Sequence, residues 1–92
     1  MTWEQKLQAL KALTPAHLEM RAPGDWFVNP YGREVVVGDM LRGDYGNGPS
    51  PQEAVEDDWR RIAESGATIL LHRDGKRRTV RWNGYMWEEV KR

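Results

Sequence analysis

Five cations crowd one stretch near the end of the chain: Arg73, Lys76, Arg77, Arg78 and Arg81, followed at once by Trp82, Asn83, Tyr85 and Trp87. Positive charge can hold phosphates and an aromatic face can stack on a base, so this combination suits a nucleotide or a single strand. The structural alternative is that Trp82 and Trp87 turn into a core while Arg78 pairs across strands with Glu89. A second candidate is Gly46-Asn47-Gly48, which leads through Ser50 into a helix. Backbone N–H groups and a helix N-terminus both favour an anion, so this loop could cradle a phosphate. It lacks the Lys-Ser/Thr of a P-loop and the three-glycine spacing of a dinucleotide site, and a plain turn followed by a helix cap accounts for the same residues.

The remaining chemistry-bearing residues are sparse. Glu56, Asp57 and Asp58 could bind a metal or mimic phosphate. Consecutive helix positions diverge, however, so a solvated face is expected instead. His17 and His72 stand apart and neither has a cysteine near it, because the chain has no cysteine at all. That removes disulfides, a thiolate nucleophile and a zinc finger. Ser50 has no base beside it and is better used as a cap. No catalytic constellation, no metal site and no cofactor motif is expected, which argues against an enzyme.

The whole chain is 92 residues with a formal net charge of zero, enough for one small α+β domain over residues 1–92. Charge is unevenly placed: residues 44–66 carry about −4 and residues 67–92 about +4 by simple count. Five Trp in a chain that is 39% hydrophobic must carry much of the burial. No apolar run reaches the roughly 18 residues of a membrane span and no signal peptide precedes the first helix, so a cytoplasmic protein is expected.

Two helices and several strands must position these groups. Thr2 with Gln5 makes a capping box opening a helix to about Leu13, striped by Trp3, Leu7 and Leu10 and stopped by Thr14-Pro15. A second helix spans about 51 to 64. Ser50 is its N-cap, Pro51 its first residue, Glu53 the other half of a capping box, Val55, Trp59 and Ile62 its apolar stripe, and Gly66 its C′ residue. Glu56 with Arg60 and Asp57 with Arg61 are spaced to pair along it. Strands are expected at His17–Arg21, Trp26–Asn29, Glu34–Val37 and Met40–Tyr45. Asp74-Gly75 predicts a two-residue type I′ hairpin between 67–73 and 76–82, and Asn83-Gly84 predicts a second one leading into 85–90. In that register Val80 faces Ile69 and Trp87, Trp82 faces Ala67 and Tyr85, and Arg77 and Arg81 lie on the other side. The aromatic side then packs under the helices. The expected architecture is a mainly antiparallel sheet with two helices on one face, in the order α-β-β-β-α-β-β-β.

The segments TWEQKLQALKAL, MRAPGDWFV, YGNGPSPQEAVEDDW and RWNGYMWEEV together resemble a small protein type of tailed phages and prophages. That resemblance implies an accessory protein acting inside the bacterial cell against host defence. The strand–loop–SPQEAV–helix portion is similar to antitoxins of the HicB type. RWNGYMW resembles the WNG segment of phage anti-Thoeris sponge proteins, which sequester a nucleotide signal. The expectation is a non-enzymatic protein that binds and blocks a host protein or sequesters a small nucleotide, with a nucleic-acid-associated or antitoxin-like module as the alternative. Candidate ligand-binding residues are Gly46, Asn47, Gly48, Ser50, Arg77, Arg81, Asn83 and Tyr85. A protein-directed inhibitor would instead use the acidic helix face or Trp26, Phe27 and Tyr31. Pairing into a homodimer would enlarge a core this small.

Overall fold

Both helices begin at the caps the sequence encodes. The computed structural model describes residues 1–90 and opens with α1, Trp3–Leu13, where Thr2 and Gln5 satisfy each other's backbone N–H groups. Strands β1 (Ala16–Ala22) and β2 (Asp25–Pro30) form a hairpin about Gly24, whose φ of +74° only glycine adopts freely. Strand β3 (Arg33–Val37) turns into β4 (Met40–Arg42), and a two-residue strand β5 (Asn47–Gly48) precedes α2 (Pro51–Trp59). The chain closes with β6 (Thr68–Arg73), β7 (Lys76–Trp82) and β8 (Trp87–Glu89).

The fold is α+β with antiparallel pairing throughout, as the sequence predicts. Five strands precede α2, against the four segments and the three-strand order expected, and the strands divide between a three-stranded sheet, β1-β2-β5, and a five-stranded sheet, β4-β3-β6-β7-β8. Helix α2 joins the two. It touches β1, β2 and β5, while its last turn, Arg60–Glu64, widens into π geometry and touches β7. The predicted helix over 51–64 is thus continuous in span but not in pitch. Gly66 follows at φ +73° in the C′ position.

Leu10 from α1, Val28 from β2, Val55, Trp59 and Ile62 from α2, and Val35, Ile69 and Val80 from the large sheet make one core. The alternation of β6 and β7 turns Ile69, Leu71, Val80 and Trp82 inward, beneath the helices, as expected. Trp59, Trp82 and Trp87 meet edge to face, with ring centroids 4.8 to 6.0 Å apart. The Trp87 indole also donates to the Ala9 carbonyl of α1 at 2.9 Å.

The first hairpin is as predicted: Asp74 and Gly75 both take positive φ, and Arg73 faces Lys76. The second is corrected. Residues 83–86 form a four-residue loop closed by Asn83 N–H on the Met86 carbonyl, so Trp82 faces Trp87 rather than Tyr85, and Val80 faces Glu89. Glu89 is therefore not opposite Arg78. The cause is the Asn83 side chain, whose Oδ1 accepts from both Tyr85 and Met86 N–H and spreads the turn. The slip is two residues, so each side chain keeps its face.

Candidate functional site

The glycine-rich loop and the acidic run prove to be two halves of one arrangement. Gly46 N–H donates to Asp58 Oδ1 at 2.9 Å and Asn47 N–H to Asp57 Oδ2 at 3.0 Å. The anions this loop holds come from the chain itself. A side chain at Gly46 would place its Cβ 2.2 Å from the Asp58 backbone nitrogen, and one at Gly48 would lie 2.8 Å from Glu53 Cβ, so both glycines are needed for the loop to lie flat on α2. Ser50 caps α2 by accepting Glu53 N–H at 3.2 Å. The reciprocal half of that capping box is corrected, since Glu53 Oε2 accepts the Ser50 hydroxyl instead of the backbone N–H.

The expected solvated acidic face is also overturned. Asp58 is 0% exposed and Asp57 is buried, while Glu56 reaches across to Lys6 of α1 at 2.6 Å. Asp57 takes the expected Arg61 and also Arg60, which leaves Glu56 without the predicted partner. Asp58 meets Arg33, the first residue of β3, in a two-pronged pair. Nη1 donates to Oδ2 at 3.0 Å and Nη2 to Oδ1, and Nη2 also reaches the Asp44 carbonyl. Burial pushes the Asp58 carboxyl above its ordinary range, against the pull of Arg33 and Gly46 N–H. At Asp57 burial also pushes upward, but Asn47 N–H, Arg61 and Arg60 outweigh it and hold the carboxyl below its ordinary range.

The sequence carried a signal for this pair. Arg33 is two residues from Val35, so it shares the inward face of its strand. Asp58 lies three residues after Val55 and four before Ile62, within the apolar stripe of α2. A charge on each of two inward faces calls for a partner.

The basic hairpin is different in kind. Strand alternation puts Arg77 and Arg81 on the open face of the large sheet, with His72 and Thr79, while Arg73 and Arg78 share the helix-side face with Leu71. Arg73, Lys76, Arg77, Arg78 and Arg81 are all exposed. Among the described residues none of the five makes an ion pair, whereas Lys6, Arg21, Arg33, Arg60 and Arg61 each have a carboxylate partner. Asn83 is occupied in its own turn and with Glu88, and Tyr85 beside it is 91% exposed, as is Met86 to a lesser degree.

Comparison with family models, with curated proteins and with solved structures finds no match.

The structure thus separates the eight predicted site residues. Gly46, Asn47, Gly48 and Ser50 are engaged with α2, while Arg77 and Arg81 on β7 and Tyr85 in the loop after it present free groups, with Asn83 setting that loop. Elsewhere, Arg21 lies 4.8 Å over the Phe27 ring and bonds Tyr45 and Asp25, forming a second ordered surface on the small sheet. Among the described residues no three His, Asp or Glu side chains gather as a metal site, and no helix is long and apolar enough to cross a membrane.

Proposed function

We propose that the chain is a non-enzymatic binding protein of phage type that captures and blocks an acidic component of its bacterial host in the cytoplasm. The observation that carries this reading is the set of hairpin cations left unpaired by the fold, with Arg77 and Arg81 on an open sheet face and Tyr85 exposed in the loop that follows their strand. Unpaired cations beside an accessible ring favour a polyanion lying across the surface. A nucleotide enclosed as a guest fits less well. Small-molecule sites usually occupy about 300 Å³ or more, and the roughly 220 Å³ cavity beside Arg81 is walled by Glu88 and Glu89, which repel phosphate. Nucleic acid or an acidic protein surface is the better partner class.

The test is fluorescence anisotropy with a labelled single-stranded oligonucleotide and, separately, an Asp/Glu-rich peptide, each over a salt series. Binding to at least one is expected. The Arg77→Gln/Arg81→Gln variant should bind more weakly and lower the slope of log K against log salt by about 1 to 2 for the oligonucleotide. Unchanged affinity and slope in that variant, or no binding of either probe, overturns the reading.

A second reading, a homodimer, draws on strand β4. It is an edge of the large sheet, and Met40, Leu41 and neighbouring Val37 are all exposed there. An unpaired apolar edge is a template for a second copy. Native mass spectrometry of the wild type against Leu41→Lys distinguishes a dimer built on that edge from a monomer.

A further inference from the structure

A small cavity of about 50 Å³ lies between the C-terminal end of α1 and the turn end of the β6–β7 hairpin. Leu13, Pro15 and Leu71 give it apolar walls, and Arg73 and Arg78 line it from two adjacent strands. Thr14 lines it as well. That residue is 7% exposed, and its Oγ1 is buried with no hydrogen-bond partner. A buried hydroxyl ordinarily finds a partner, so an orphan in the wall of a cavity that two arginines also line marks a place for an acceptor from outside.

We propose that this cavity recognises a carboxylate. The volume admits a few non-hydrogen atoms, enough for a carboxylate with its adjoining carbon. A carboxylate has acceptors for the Thr14 hydroxyl and for the planar guanidinium forks of Arg73 and Arg78, while its carbon chain rests on Leu13, Pro15 and Leu71. The group belongs either to a free short-chain acid or to the end of a polypeptide. The site does not rest on the polyanion reading, since it uses the cations on the helix side of the hairpin and leaves Arg77 and Arg81 untouched.

The probes are propionate, propionamide, and one short peptide with either a free or an amidated C-terminus, titrated at constant ionic strength and followed by amide shifts in NMR spectra. Saturable shifts around Thr14, Leu71 and Arg78 are expected with the acids and not with the amides. Tighter binding of the free-ended peptide than of propionate identifies a chain terminus, and the reverse identifies a small acid. Thr14→Val keeps the β-branched shape and should weaken binding by about tenfold, in line with the loss of one hydrogen bond to a charged group. Arg73→Gln/Arg78→Gln, both at exposed positions, should abolish it while thermal unfolding shows a folded protein. Equal responses to acid and amide, no saturation, or full affinity in both variants would mean that the cavity holds only water, and the proposal would fall.

Discussion

Two neighbouring carboxyls on α2 are driven in opposite directions by their surroundings. Asp57 has a pKa below its ordinary value of 3.8, so its charged form is favoured by the fold. Its contribution to stability is complete above that ordinary value and is lost as pH falls through the lowered one. Asp58 has the opposite sign: its pKa is raised, so any contribution from its protonation is present in acid and lost as pH rises through the raised value. Acid denaturation of the wild type sums the two. Asp57→Asn removes only the first, and its unfolding free energy should fall less steeply than the wild type's between about pH 5 and about pH 3. Parallel pH profiles would show that the Asn47 and Arg61 contacts do not stabilise the carboxylate. The residue scale was also the least legible from sequence. Capping chemistry at Thr2, Ser50 and Gly66 acts within a few residues and could be read directly, whereas the inward roles of Asp57 and Asp58 depend on a loop and a strand brought in from elsewhere in the chain.

At the scale of elements, the Arg33–Asp58 pair fixes how α2 sits between β3 and the Gly46 loop. Val55, Trp59 and Ile62 would tolerate a small rotation of the helix, but a two-pronged bond between a buried guanidinium and a buried carboxylate would not. Arg33→Met or Asp58→Leu alone strands a charge in the core and should cost about 3–5 kcal/mol, while the double variant, with both charges removed, should be less destabilised than the two losses added together. A urea-unfolding cycle measures this, and strict additivity would show the pair to be uncoupled. Most elements were legible because their signals are local: the Asp74-Gly75 turn, the Pro51 start and the alternation of Ile69 with Leu71. Strand β5 was not, since Asn47-Gly48 has no β-forming side chain and becomes a strand only by pairing with Trp26 and Phe27. The Asn83 loop misled because an Asn-Gly pair suits a two-residue turn, while the Asn side chain can also bond two N–H groups further on.

For the whole molecule, the expected single sheet proved to be two, giving a body of 42 × 25 × 24 Å in which α2 bridges both layers. No local pattern announces that division, because it follows from which edges pair. The candidate binding surface was legible in part. The cation cluster of 73–81 could be read from sequence, but its division between two faces needed the hairpin register, and the cavity behind Thr14 needed α1 seated on the sheet. That seating depends on the indole of Trp87. Trp87→Phe keeps a ring against Trp59 and Trp82 but loses the donor to Ala9, and should cost about 1 kcal/mol by chemical denaturation; unchanged stability would make that bond incidental. The Trp87–Ala9 contact spans 78 positions, which bears on how the protein is made. During translation α1 is produced well before the strand that anchors it, which follows 78 positions later. The first helix must therefore wait, with its apolar stripe only partly covered, until that strand has emerged.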